Sequence, residues 1–239
     1  IKGKSFDASK IINELLDSDD ENISLFSNFN EEINININKT YINKDTFVNN
    51  LSGNVNFKVN KVNNLNLESF FQNQKKLTLS IKTNLNNEKI TTLFTDYPKP
   101  LIQRYKFING FEEGILDFYS IKIKGVSNSI LTIDNFKVKE VPVFAKLLSL
   151  ASLQGIADLL TGEGIRFTDF EMKFSNDKGL MTIEELYSIG PAVSILMDGY
   201  IDKKNLISLR GTLVPATTIN RTIASIPLIG NILVGKKTG

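Results

Sequence analysis

Few residue types that could perform chemistry are present in this chain of 239 residues. It contains no histidine and no cysteine. The side chain that most often transfers protons near neutral pH is therefore missing, as are thiolate ligands, disulfides and cysteine nucleophiles. Any catalysis would depend on carboxylates, lysine or tyrosine. We therefore expect a protein that is not an enzyme and that carries no metal site and no cofactor.

Two glycine motifs resemble nucleotide-binding loops. Residues 230–238, GNILVGKKT, nearly match the phosphate-binding pattern G-x-x-x-x-G-K-[ST]. The residue after the lysine should carry a hydroxyl for magnesium, but here it is Lys237. Gly162-Glu163-Gly164 precedes a predicted strand and follows a predicted helix, which is the reverse of the dinucleotide-binding order. We interpret both matches as chance similarities.

Acidic residues form short clusters, and paired carboxylates can hydrolyse glycosides or bind calcium. The clusters lie at residues 17–21, 112–113 and 184–185. None occurs in a recognisable site, so we interpret them as solvated turns. Asp169 and Glu171 share one face of a predicted strand, opposite Phe170 and its apolar neighbours, and should therefore face water.

Composition limits the remaining classes of protein. Hydrophobic residues make up 41% of the chain, which is enough to form a core. The formal charge is +2, and the basic residues are scattered, which argues against nucleic-acid binding. No uncharged apolar run reaches the roughly 18 residues of a membrane-spanning helix. The abrupt ends of the sequence suggest a fragment of a longer protein.

Alternating apolar and polar residues predict the main elements. In residues 33–38, INININ, every second side chain is isoleucine, which is typical of a strand with one buried face. We expect a mainly β fold of the α+β class, built on a long, curved antiparallel sheet that forms an apolar groove. It would be a single elongated module over 1–239, with sub-lobes at 1–97 and 98–239. About nine strands are predicted, near residues 33–38, 55–59, 77–81, 116–123, 129–138, 165–174, 179–187, 193–201 and 206–214.

Helices are predicted at four places. Asp7 can cap a short helix that ends at Leu16, and a brief helix over 101–107 would end at Gly110. Residues 142–160 form the longest predicted helix, with a broad apolar surface and glycines after it. A last helix begins after Pro215 and ends before Pro227.

Residues 165–174 contain a shift in the apolar alternation between Phe167 and Phe170. One extra residue at Thr168 or Asp169, as in a β-bulge, would return all the aromatic side chains to one face. Such an irregularity would permit strong curvature of the sheet.

The apolar stripes of the strands are ordinary core in a closed sandwich, but here few elements are predicted to cover them. They would require a second sheet, a partner or a lipid. The residues predicted to line the groove are Ile33, Ile35, Ile37, Val55, Phe57, Val59, Leu77, Leu79, Ile81, Phe170, Met172 and Phe174. The residues predicted to cap the groove or to bind a partner, all on the long helix, are Phe144, Leu147, Leu148 and Ala151.

Short motifs in the C-terminal part resemble the AsmA-like family, which includes the YhdP-type bacterial envelope proteins. They keep their order and spacing over about a hundred residues, whereas GKSFD at 3–7 is a weaker match. The motifs are VPVFAKLL at 141–148, GEGIRF at 162–167, GPA at 190–192, DGYID at 198–202, GTLVPA at 211–216, IN at 219–220 and IPLIG at 226–230.

This resemblance implies a periplasmic protein that is anchored in the inner membrane of a Gram-negative-type bacterium by a helix outside this sequence. Family members are similar to bridge-like lipid transporters, so the implied ligand is phospholipid or another acyl lipid that moves between the inner and outer membranes. An apolar lining would replace the bilayer for the acyl chains. The alternative is a scaffold for outer-membrane biogenesis that contacts other envelope proteins through the long helix.

Overall fold

The regular structure in the residues that the computed structural model describes includes twelve strands and one short helix. The model describes residues 1–9, 30–58, 61–103, 109–140, 164–191, 193–204 and 206–215. The helix α1 spans Lys99–Ile102. The strands are β1 Lys2–Asp7, β2 Glu32–Tyr41, β3 Phe47–Lys58, β4 Lys61–Phe70, β5 Lys76–Thr83, β6 Lys89–Thr95, β7 Asn109–Ile123, β8 Val126–Glu140, β9 Ile165–Asp177, β10 Leu180–Ile189, β11 Val193–Ile201 and β12 Ile207–Pro215.

All twelve strands form one open, curved sheet in which the spatial order is the order of the sequence. Each pair from β2 to β12 is antiparallel, and β1 alone pairs in parallel, with β2. The prediction of a mainly β fold with a curved sheet is therefore confirmed. Three strands, β1, β4 and β6, were not predicted. The stretches 1–97 and 98–239 contribute six strands each to this one sheet.

The shift of the apolar alternation in β9 leaves the aromatic side chains on one face, as predicted, but without the single predicted bulge. Phe167 and Phe170 both contact the ring of Phe136, at centroid distances of 5.3 and 6.3 Å, so the two rings lie on one face. The pairing of β9 with β8 keeps a single register throughout. The neighbouring strand β8 has its own irregularity at Asn135, where φ is 53°. Matched irregularities on both strands therefore replace the single bulge.

The helical predictions were less accurate. The helix α1 begins two residues before the predicted 101–107 and has Pro100 in its first turn, where a missing N–H costs nothing. Gly110 lies in β7, and residues 104–107 of the predicted helix lie outside the described residues. Asp7 is part of β1, although its carboxylate accepts a hydrogen bond from the N–H of Ser9. The rest of the first predicted helix, the long helix at 142–160 and the last helix lie outside the described residues.

Two clusters of buried side chains lie on one face of the sheet. The larger contains residues of β7, β8, β9 and β11 and of the end of α1, and includes Phe111, Phe136, Phe167 and the fully buried Ile165. The smaller joins β3 and β4 around Val55 and its neighbours. Because burial of such a side chain contributes about 1.5–3 kcal/mol, these clusters are what hold the strands in register.

Candidate functional site

One row of apolar side chains crosses the sheet from β2 to β11. Residues that pair directly across strands point to the same face, so a chain of pairs defines a row. All nine side chains of this row are half-buried, with glycine on β3 and β12. The middle row consists of Ile35, Gly53, Leu67, Leu79, Leu93, Phe118, Leu131, Met172, Leu186, Met197 and Gly211.

A flanking row lies on each side of the middle row, and together the three rows are called the apolar face. One flank runs Ile33, Val55, Leu65, Ile81, Thr91, Ser120, Ser129, Phe174 and Ile183. The other runs Ser69, Leu77, Thr95, Leu116, Ile133, Phe170, Ser188, Ile195 and Leu213. None of these residues carries a charge.

Four hydroxyl groups of the flanking rows form hydrogen bonds within the protein. Ser129 Oγ donates to Ser120 Oγ at 2.9 Å, and both side chains are buried. Thr95 Oγ1 donates to the carbonyl oxygen of Lys76 at 2.8 Å, and Ser188 Oγ donates to that of Asp169 at 3.2 Å. Because a satisfied hydroxyl offers little to a ligand, these groups do not make the face polar.

The structure brings most of the predicted lining residues together on the apolar face. Ile33 and Ile35 pack with Val55 and Phe57 in the smaller cluster, alongside the predicted β5 residues Leu79 and Ile81. Ile37 is buried and pairs with Leu51. Leu77, Phe170, Met172 and Phe174 join the same face through strand pairing. Val59 lies outside the described residues. So do the predicted capping residues Phe144, Leu147, Leu148 and Ala151.

Several residues of the face were missed by sequence reasoning. Leu65 and Leu67 lie on the unpredicted β4, and Leu93 lies on the unpredicted β6. The β-branched run of residues 90–92 was the available signal for β6. Four further residues of the row lie on predicted strands, namely Phe118, Leu131, Leu186 and Met197. They align in one row only because of the register between strands, which alternation within a strand does not define.

Two of the acidic clusters prove to be parts of strands, so their interpretation as turns was wrong. Glu112 and Glu113 lie in β7, and Glu113 has φ 64°. Glu112 binds Lys139 at 2.9 Å, and the hydrogen bond from that ammonium lowers the pKa of the carboxyl. Glu113 binds Lys137 and Arg166 at 3.3 and 3.0 Å. These ion pairs tie three strands together.

The second such cluster, Glu184 and Glu185, lies in β10 beside Lys173. Lys173 Nζ lies 3.3 Å from Glu185 and 3.1 Å from Glu171, and its pKa is raised mainly by the hydrogen bond to Glu171. Desolvation, followed by the charge of Glu171, raises the pKa of Tyr187 to about 12. A tyrosine that keeps its proton so firmly is a poor general base at neutral pH.

In the described ranges, no group of three acidic side chains is placed to hold a metal ion. Nor does any helix within them have the length and apolar character required to cross a membrane. Comparison with known proteins adds no identification: no family model matches the chain, no curated protein matches it, and no solved structure matches its fold. The AsmA-like resemblance stays a prediction.

Proposed function

We propose that this protein binds the acyl chains of phospholipid along its apolar face. The observation that supports the proposal most strongly is the middle row, where nine half-buried apolar side chains follow one another from β2 to β11 without a charge. Apolar patches of this extent are uncommon on soluble proteins and mark contacts with a membrane, a ligand or a partner.

The dimensions of the apolar face suit an extended chain. Neighbouring strands are about 4.8 Å apart, so the nine strand-to-strand steps from β2 to β11 measure roughly 43 Å along the sheet. The hydrocarbon core of a bilayer is about 30 Å thick. The middle row therefore offers a continuous apolar path longer than the distance that two opposed acyl chains cover in a membrane.

The energetics are also adequate. Each CH₂ group removed from water contributes about 0.8 kcal/mol, so ten such groups against the middle row contribute about 8 kcal/mol. That free energy is equivalent to a dissociation constant near 1 μM before the entropic cost of ordering the acyl chain is subtracted. No covalent step is involved, so the absence of histidine and cysteine is no obstacle.

The cellular setting of the proposal derives from the AsmA-like resemblance. In this setting the chain is the periplasmic part of a protein anchored in the inner membrane, and it binds or conducts phospholipid towards the outer membrane to support its integrity. The scaffold alternative depends on Phe144, Leu147, Leu148 and Ala151. Those residues lie outside the described ranges, so no contact in the structure supports it.

Native mass spectrometry of the detergent-free protein tests the proposal. We expect adducts with phospholipid masses, together with uptake of a fluorescent fatty acid. The variant Leu79→Asn/Leu131→Asn places two amides in the middle row and should reduce uptake by about tenfold or more.

The matched control is Ser80→Asn/Thr132→Asn, which changes the adjacent residues on the opposite face. Its uptake should equal that of the unmodified protein. A lipid-free mass with no uptake would refute the proposal, as would equal uptake by both double variants when circular dichroism shows that both are folded.

A further inference from the structure

The face opposite the apolar face carries a second group of apolar side chains, on β6, β7 and β8. Tyr119 is 43% exposed and pairs directly with Ile130, which is 39% exposed. Ile121 follows on the same face of β7 and pairs with Ile90. Phe94 is diagonal to Tyr119 on the neighbouring strand, within reach of an aromatic ring. We call Ile90, Phe94, Tyr119, Ile121 and Ile130 the outer patch.

Strand β7 is therefore apolar on both sides. A strand with one face in water normally alternates, as β2 does with its isoleucines and asparagines. On β7 the side chains of Leu116 and Phe118 lie on the apolar face, while Ile115 and Tyr119 are more than two-fifths exposed on the outer face. Large apolar side chains on both faces of a strand are expected where both faces are covered.

Carboxylates border the outer patch on one side. Asp117 lies on β7 next to Tyr119, and burial together with the nearby Asp134 raises the pKa of its carboxyl. Asp134 pairs directly with Asp169 across β8 and β9, an arrangement that is unfavourable for two like charges. Glu171 follows on the same face of β9 and binds Lys173.

The charges facing the patch are therefore mainly negative. Lys173 is already bound by Glu171 and Glu185. On the other side of the patch, Lys82 pairs with Ile90, and Lys76, which binds Glu68 at 2.6 Å, is diagonal to Phe94. A covering molecule with positive charge would relieve the repulsion between Asp117 and Asp134.

We propose that the outer patch is a docking surface for a protein segment that presents apolar side chains flanked by lysine or arginine. A second copy of the chain does not satisfy this requirement, because a symmetric contact would bring the carboxylates of both copies together. Anionic phospholipid would be repelled by Asp117 and Asp134 for the same reason. The site differs from the apolar face in both position and charge.

A pair of designed peptides tests the proposal. One is an amphipathic helix of leucine and lysine, and the other has glutamate in place of every lysine. We expect fluorescence anisotropy to show binding of the lysine peptide and much weaker binding of the glutamate peptide. Two chain variants, Asp117→Asn/Asp134→Asn and Tyr119→Ser/Ile130→Asn, should each weaken binding of the lysine peptide about tenfold.

Two remote variants are the controls. Tyr200→Ser removes a ring that is 42% exposed on the outer face of β11, and Asp45→Asn removes a carboxylate near the turn between β2 and β3. Both should leave peptide binding unchanged. Equal binding of the two peptides, or equal losses in patch and control variants, would overturn the proposal. The proposal would also be overturned if the chain forms a dimer in sedimentation, or adsorbs to anionic vesicles, and Tyr119→Ser abolishes that association.

Discussion

The rings of Phe118 and Phe174 stack with their centroids 6.4 Å apart, although β8 lies between the strands that carry them. Two strand spacings in a flat sheet amount to about 9.6 Å. The rings therefore lean towards each other above β8, where the partner of Phe174 is the small residue Ser129. Such convergence is expected of a sheet that bends towards its apolar face, and it concentrates aromatic surface beside the middle row.

The glycine in the middle row at β3 should be essential for stability. Gly53 has φ +144°, and a Cβ added there would overlap the carbonyl oxygen of Asn66 on the neighbouring strand. We expect Gly53→Ala to lower the free energy of unfolding by about 3 kcal/mol or more. Chemical denaturation monitored by circular dichroism measures this change.

The control for this substitution is Gly125→Ala. Gly125 also has positive φ, at +90°, but an added Cβ would meet no atom within 4 Å. The loss of folding free energy in Gly125→Ala should be limited to backbone strain of about 1 kcal/mol. Similar losses in the two variants would show that the close approach of β3 and β4 is unimportant.

Phe136 should be the most sensitive position in the larger cluster. It is 5% exposed and stacks on Phe111 and Phe167, each at 5.3 Å between centroids. We expect Phe136→Ala to cost about 3–5 kcal/mol because it leaves a cavity between the two rings. Tyr119→Ala, at a position that is 43% exposed, should change stability by only about 0.5 kcal/mol. Comparable denaturation midpoints for the two variants would contradict this packing.

The ionisation of Tyr187 should report on the outer face. Its pKa of about 12 is higher than the ordinary value of 10.0. The folded state binds the phenol proton more firmly than the unfolded state does, so the protonated Tyr187 contributes to stability. This contribution is complete below pH 10 and is lost as pH rises towards 12. Tyr187→Phe should therefore flatten that part of the stability profile.

The residue opposite Tyr187 provides a second test of the same cause. Glu171→Gln should lower the pKa of Tyr187, as measured by ultraviolet titration, but not to the ordinary value, since desolvation is the larger cause. An unchanged titration curve in this variant would show that the carboxylate does not act on the phenol.

The sequence was most informative where polar and apolar residues contrast strongly. In β2 the alternation of isoleucine and asparagine predicts both the strand and its buried face. The strand β4 was missed because its pairing with β3 shifts between Asn56 and Phe57, which breaks the alternation. The strand β6 places Thr91 and Thr92 on opposite faces, so it lacks an apolar stripe. Every residue of β1 is exposed, so burial leaves no pattern in that strand.

Much of the apolar face was predictable, whereas its continuity was not. The side chains of β2, β3 and β5 were identified because each strand alternates by itself. The middle row exists because ten successive strand pairs keep a register that aligns residues such as Leu93, Phe118 and Leu131. A slip of one residue in any pair would send the following side chains to the opposite face. Alternation within a strand carries no information about that alignment.

The most direct test of lipid binding uses two neighbouring residues of β5. Leu79 belongs to the middle row, whereas Ser80 lies on the opposite face and shares a hydrogen bond of 2.8 Å with Thr92. The chain has no cysteine, so Leu79→Cys and Ser80→Cys can each carry a single fluorophore. We predict that a fatty acid with a nitroxide on its acyl chain quenches the label at position 79 strongly and the label at position 80 weakly. Equal quenching at the two positions, or none at either, would contradict lipid binding along the apolar face.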